Sequence, residues 1–291
     1  MLLTNIHDFN RQNISAFHNE IDRLNRAGLK KKVGFFGQPD QKTMEIFRNH
    51  GFEFLDLDID FGNPKQTIVP DVYCHIIRDI INNAVYFQSD LDYIICTTGA
   101  DKCDQGRNVR DLLSRLDFNV IDASNINMNP IREPIISNAK GNLRDRIIRI
   151  MELIYKPLTS DEKEHYLKNQ CEPEFNFHGV PPHDIDLLNL FPEETHINGW
   201  TKLVEMGTPS RADLEWDVDN AAPTVYFSQS FCNKQMMSNY LADKHQGLYL
   251  DGHGTVTGSM KAKLEAFLTL RSKKRMITTP SLNKESHYVA L

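Results

Sequence analysis

Residues 91–127, LDYIICTTGADKCDQGRNVRDLLSRLDFNVIDASNIN, constrain the fold of this chain more than any other stretch. The segment 91–96 is a short apolar run rich in β-branched residues and reads as a buried strand. A polar loop carrying Cys103 follows, then a helical pattern over about 105–116 and a second apolar run over 118–122. Two buried strands joined by a helix pair in parallel, with a right-handed crossover.

The same unit recurs upstream. Lys32-Val-Gly-Phe-Phe-Gly37 and 52–59 read as strands around a helix from about Gln41 to His50, which Gly51 ends. Residues 72–87 are apolar on almost every side, the pattern of a largely buried helix. Cys74 reads there as a small core residue. The expected fold is therefore α/β and Rossmann-like, a mostly parallel sheet with helices on both faces. A helix over about 5–28 precedes it, with Ile14, Phe17, Ile21 and Leu24 on one face.

Downstream, 142–155 is strongly amphipathic, and Thr159-Ser160-Asp161 caps a further helix to about Asn169. The texture then changes. Between Cys171 and Ala222 lie five prolines, His178, His183, His196 and both tryptophans, Trp200 and Trp216. This stretch is expected to be a Pro-rich cap insertion with short helices near 184–191 and 198–206. Strands at 223–228 and 247–251 and helices at about 231–243 and 259–270 then resume the core. The expected organisation is an N-terminal helix over 1–30, a Rossmann-like core over 31–157, a cap over 158–222, the remainder of the core over 223–272 and a polar tail over 273–291. No internal repeat is visible beyond recurrence of the β-α-β unit.

Composition narrows the function classes. A formal net charge of −6 disfavours a nucleic-acid backbone as partner. The basic run Arg271 to Arg275 reads as a solvated helix end. No apolar run approaches the ~20 residues needed to cross a membrane. The five cysteines are odd in number, contain no CxxC pair and follow no signal peptide, so free thiols in the cytoplasm are expected. A leaderless secreted protein has the same composition. Self-association into a homo-oligomer is compatible with the sequence.

In open parallel sheets ligands bind outside the C-terminal ends of the strands. That rule selects the loops after the first, third, fifth and sixth expected strands. They carry Gln38; Cys96, Thr97, Thr98, Gly99 and Asp104; Ser228, Ser230 and Cys232; and His253 within Asp251-Gly-His-Gly-Thr255. Backbone amides at helix N-termini there suit an anionic group and lower a thiol's pKa. Cys96, Cys232 and His253 are the candidate catalytic residues, and the others are candidate ligand contacts. The alternative for Cys96 is a buried strand residue, and for His253 an exposed glycine-rich turn. The expected partner is a small carboxylate- or phosphate-bearing metabolite. The alternative is a non-catalytic ligand- or protein-binding module of the same fold.

Two family resemblances reach the same stretch. Over about 32–127, Lys32-Val-Gly-Phe-Phe-Gly37, Gly51-Phe-Glu-Phe, Asp92-Tyr-Ile-Ile-Cys96-Thr97-Thr98 and Ala123-Ser124-Asn125 resemble the aspartate/glutamate racemase superfamily, especially its maleate isomerase and arylmalonate decarboxylase branch. The resemblance implies Cys96 as an acid/base thiol in an isomerase or lyase. Asp101-Lys-Cys103-Asp-Gln-Gly106 resembles the Asp-x-His-x-x-Gly signature of cobalamin-binding domains, with Cys103 where the metal-ligating histidine stands. That implies a corrinoid. A third arrangement gathers Cys96, Cys103 and Cys232 from several loops around an iron–sulfur cluster in a paired-lobe enzyme. Spacing alone does not select it, and no cofactor is expected.

Other motifs carry less. His183, Asp184, Asp186, His178 and His196 fit no zinc-binding spacing and read as surface or cap residues, so no metal site is expected. Asp251 to Thr255 resembles the subtilase histidine motif, but too little chain follows it to supply the nucleophile. Asp56, Asp58 and Asp60 alternate and share one side of the chain, a side that can reach the cleft. No GxGxxG or Walker A sequence is present, which disfavours a dinucleotide or P-loop site.

Overall fold

The computed structural model describes residues 31–59, 68–98, 103–123, 131–209, 211–218 and 221–272. The expected helix over 5–28, Asp60, Gly99 and the polar tail after 272 lie outside these residues. In the first half, β1 (Lys32–Phe36), α1 (Gln41–Asn49), β2 (Glu53–Asp56), α2 (His75–Tyr86), β3 (Tyr93–Thr97), α3 (Asp104–Arg115) and β4 (Val120–Ala123) alternate as expected. They form a four-stranded, all-parallel sheet of order β2-β1-β3-β4. The helix ends follow local chemistry. Asp40 caps α1 by accepting from the Thr43 amide at 2.9 Å, and the Cys103 sulfur accepts from the Gly106 amide at 3.4 Å to cap α3.

The second half departs from expectation. After α4 (Leu143–Glu152) and α5 (Ser160–Lys168) come β5 (Phe175–Gly179), a short 3-10 helix (Ile185–Leu190), β6 (Thr195–Asn198), α6 (Trp200–Met206) and a second 3-10 turn (Ala212–Trp216). Then follow β7 (Thr224–Gln229), α7 (Gln235–Lys244), β8 (Leu248–Gly252) and α8 (Gly258–Arg271). Strands β5 to β8 build a second parallel sheet of order β6-β5-β7-β8. The segment 171–222 is thus the first half of a second lobe and not an insertion into a single sheet. Its strands are short, and β5 carries Asn176, His178 and Gly179 in five residues, which hides the apolar signature. The second lobe repeats the strand order of the first, a duplication of topology without evident sequence repetition. The two expected short helices, near 184–191 and 198–206, are both present.

Alternation along the strands splits the core. Val33, Phe35, Ile95 and Ile121 face one continuous cluster that runs through Ile147 and Ile150 of α4 into Phe175, Phe177 and Val225 of the second sheet. Phe36, Ile94, Cys96 and Val120 face the other side and pack on α2 and α3. Both faces of the first sheet are covered, as a parallel sheet requires. Among the described residues no helix is long and apolar enough to cross a membrane.

Buried polar side chains hold the linker between the lobes. Arg146 on α4, 2 % exposed, donates to the carbonyls of Gly141, Ile136, Ser137, Glu193 and Thr195, the last at 2.6 Å. Burial draws its guanidinium down to about 10, so it keeps its charge at neutral pH. Glu205 on α6 accepts from the amides of Ile136 and Ser137 at 2.6 and 2.9 Å and from the Ser137 hydroxyl. Burial raises its pKa although these donors oppose the rise. Removing the guanidinium strands several buried carbonyls, each costing about 1–3 kcal/mol when left unpaired, with partial relief from water. Arg146→Met is expected to lower unfolding free energy by about 3 kcal/mol or more. Urea denaturation at pH 7 measures it, and a loss below about 1 kcal/mol contradicts a central role for this network.

Candidate functional site

Both sheets direct the C-terminal ends of their strands toward a shared cleft. A cavity of about 390 Å³ is lined from the first lobe by Asp58, Cys74 and Cys103, and from the second by Trp200, Trp216 and Cys232. Three cysteines distant in sequence therefore meet one space. Cys74 stands at the N-terminus of α2, where its amide donates to Gln105 Oε1 at 3.2 Å. That contact ties it to the start of α3, which Cys103 caps. Cys232 follows Phe231, a non-glycine residue at φ 61°. A bulky side chain in the left-handed region is uncommon, and such strain clusters at functional sites. The Cys232 amide donates to Gln229 O at 3.1 Å, closing the turn after β7.

The Cys74 and Cys232 thiols share a hydrogen bond across the lobes. That bond, with burial, raises the Cys74 thiol. The same bond holds Cys232 below the usual thiol range, outweighing burial, with support from the Lys234 amide and charge. Lys234 is itself paired with buried Glu215.

A second polar group lies beside the thiols. His75 and Asp79, one helical turn apart on α2, meet His183 from the loop after β5. The Asp79 Oδ2 atom accepts from Nδ1 of both rings, at 3.2 Å from His75 and 3.0 Å from His183. Burial alone would raise the carboxyl, but the hydrogen bonds and charges of His183 and His75 outweigh it and hold Asp79 low. The two rings stack with centroids 3.8 Å apart, and His253 approaches His75 at 6.0 Å. Gly254 has φ +75°, and a Cβ there would lie 3.0 Å from His75 Nε2, so this loop needs glycine to close over the ring.

The carboxylates after β2 form a further pair. Asp58 accepts from the Gly37 amide at 2.7 Å, while its own amide donates to Asp56 Oδ1 at 3.0 Å. Burial, then the charge of Asp58, pushes Asp56 well above the usual carboxylate range.

Compared with models of known protein families and with curated protein sequences, the chain finds no match.

The expected residues divide sharply. Cys232 lines the cavity, and His253 packs near His75 and Phe231 without lining it. Cys96 is fully buried against the α2 and α3 side of the sheet, its sulfur donates to Ile94 O at 3.8 Å, and burial pushes its thiol well up. An acid/base role for Cys96 needs a path to solvent that this packing closes. Thr97 is also buried and donates to Phe36 O at 2.9 Å. The Thr98 amide is used by Ala123 O, and exposed Asp104 pairs with Arg107. Ser228 is buried against Tyr249 OH at 3.1 Å, and the Ser230 amide donates to Gly252 O at 2.8 Å. Gln38 is buried and donates to Val204 O at 3.2 Å, a contact between lobes and not a ligand contact. Its Oε1 atom has no hydrogen-bond partner. His178 belongs to β5 and is buried, not part of an exposed cap.

Cys74 is buried, as expected of a core residue, but it also borders the cavity. Sequence reasoning gives no role to His75 and Asp79, because the helix that carries them reads as apolar on almost every side. The signal was Cys-His-x-x-x-Asp at a helix start, which places His75 and Asp79 on one face.

His178 gives the second lobe a pH dependence. Its Nε2 donates to Glu215 O at 2.9 Å beneath the cavity, and burial holds its imidazole down at about 4. The unfolded value is about 6.5, so the unfolded chain binds the extra proton first. The neutral ring's contribution is complete above about pH 6.5 and is lost as pH falls toward 4, about 3 kcal/mol in all. His178→Gln keeps a donor for Glu215 O and removes the titration. Urea unfolding of both proteins at pH 7 and 4.5 is expected to show a smaller pH loss in the variant by about 2–3 kcal/mol. Equal losses contradict the assignment.

Proposed function

We propose that this protein is an enzyme that binds an iron–sulfur cluster in the inter-lobe cavity through Cys74, Cys103 and Cys232. In this reading a small oxygen-bearing metabolite, in keeping with the anionic substrate expected from the sequence, enters the same cavity. The observation that carries the reading is the convergence of three of the five cysteines on one 390 Å³ space. Clusters need thiolate sulfur, and backbone N–H groups directed at sulfur stabilise it and tune the bound cluster. All three cysteines have such donors: Ile76 and Ile77 for Cys74, Gly106 for Cys103 and Lys234 for Cys232.

When bound, the cluster supplies electron transfer or Lewis acidity, and three protein ligands leave one iron open to substrate. The chain's own residues do the rest. Trp200, Trp216, Ile76 and Ile77 give the cavity an apolar lining. Asp58, fixed by the Gly37 amide, presents a polar group to it. Lys234 brings a positive charge, held in place by Glu215.

Anaerobic reconstitution with ferrous iron and sulfide tests this. The expected product carries about four irons per chain and broad visible absorption. Cys74→Ser, Cys103→Ser and Cys232→Ser each lose most of that absorption, whereas Cys96→Ser and Cys171→Ser keep it. Failure of wild type to take up a cluster, or retention by all three cleft variants, overturns the reading.

One observation favours a second reading. The hydrogen bond from Cys74 makes Cys232 a ready thiolate, and this supports thiol-dependent isomerase or lyase chemistry with the reactive group moved from Cys96 to Cys232. In iron-free protein, Cys232 is then expected to react with iodoacetamide at pH 7 about tenfold faster than a model thiol, and Cys74→Ala removes the advantage. A rate no faster than the model thiol contradicts it.

A further inference from the structure

We infer that His75, Asp79 and His183 form a second and separate site, one that takes a single first-row divalent cation of the Zn²⁺ or Fe²⁺ class. Two imidazoles and one carboxylate are a donor set suited to such ions, and this set leaves coordination positions open. The geometry already approaches a binding arrangement. The edges from Asp79 Oδ2 to the two Nδ1 atoms are 3.2 and 3.0 Å. Metal bonds of about 2.0–2.1 Å arranged tetrahedrally give ligand–ligand edges of about 3.3–3.4 Å, close to these two edges, and the three ligand atoms all lie within 4.8 Å of one another. Each Nδ1 here carries a proton, because its partner is a carboxylate oxygen. The cation replaces those two protons, which pass to the outer ring nitrogens or to solvent.

The surroundings are built rather than incidental. His75 and Asp79 are 2 % and 7 % exposed. His183 follows Pro181-Pro182, and the loop is pinned where Gln229 Nε2 donates to Pro181 O at 3.0 Å. The next residue, Asp184, accepts from the Val256 amide at 3.2 Å and so ties this loop to the one bearing His253 and Gly254.

A second observation points to a ligand. Asp79 and His183 line a cavity of about 380 Å³ distinct from the cysteine cavity, although Asp58, Ile76 and Trp200 wall both. Among its lining residues, the buried oxygens Gln229 Oε1 and Asp56 Oδ2 lack any hydrogen-bond partner, on residues 1 % and 5 % exposed. Unpaired polar atoms at such depth are costly, and a bound molecule in this cavity would satisfy them. Gln229 Oε1 and the Asp56 carboxyl therefore offer polar contacts to a small ligand in the cavity that Asp79 and His183 border. This site is independent of the proposed cluster, since it uses no thiol.

Titration with Co²⁺ tests the inference on the full chain carrying Cys74→Ser, Cys103→Ser and Cys232→Ser together. One equivalent is expected to bind, with a visible spectrum that lacks sulfur charge-transfer bands. Adding Asp79→Asn or His183→Gln is expected to weaken binding at least tenfold, with near-ultraviolet circular dichroism reporting the fold. If the serine variant does not fold, wild type decides by imidazole NMR. Zn²⁺ is then expected to shift the His75 and His183 resonances selectively. Absence of saturable binding in folded protein, affinity unchanged by both added substitutions, or a Zn²⁺ response confined to cysteines overturns the inference. Failure of cluster reconstitution leaves it standing.

Discussion

Arg146 is the side chain on which the arrangement of the two lobes depends. It lies on α4, the helix between the sheets, and its guanidinium gathers carbonyls from the linker and from the approach to β6. A buried cation of this kind is unfavourable in isolation and becomes tolerable through its many acceptors. Glu205 binds the amides of the same linker from the other side. The linker therefore has its donors and its acceptors met by two charged residues that approach from different elements. Lobe orientation follows, and with it the cleft.

The cleft is made by parallel strands. In a parallel sheet every strand ends on the same edge, so the loops of four strands converge there. Two such sheets facing one space bring residues from both halves of the chain together. Cys74 meets Cys232, and His75 and Asp79 meet His183. Neither lobe alone holds a complete group. The local structure bears the cost: Phe231 adopts a left-handed backbone, Asp56 is buried beside another carboxylate, and Gly254 must lie over a histidine ring. Departures of this kind from the most stable local choice are expected where a site is being organised.

The thiol group and the histidine group share a helix start, Cys74-His75, and a common wall of Ile76, Asp58 and Trp200. The Cys232 thiol is held low chiefly by its hydrogen bond with Cys74, with help from the Lys234 amide and charge. The electrostatics of the site thus depend on the same lobe contact that Arg146 and Glu205 maintain.

Much of this was legible in the amino-acid sequence. Period-two and period-3.6 patterns located β1 to β4 with their helices, as well as β7, β8 and the last two helices, because each buries an apolar face that must recur at fixed spacing. The rule that ligands gather at strand C-termini selected the loop of Cys232, which the structure places on the wall of the cavity between the lobes. The two strands of the Pro-rich region were missed because β5 and β6 are short and polar, and pairing with neighbours makes them strands where local propensity does not. Cys96 was misplaced for a related reason. A residue at a strand end faces either the cleft or a helix layer, and only the packing of α2 and α3 determined that it is buried. The sequence by itself determined the α/β class, the order of most elements and the edge on which to look. The tertiary structure alone decided that there are two sheets, that Cys74 and not Cys96 meets Cys232, and that His75 and Asp79 meet His183. Such meetings join residues far apart along the chain, and their distances are set by how the lobes pack, which no local pattern encodes.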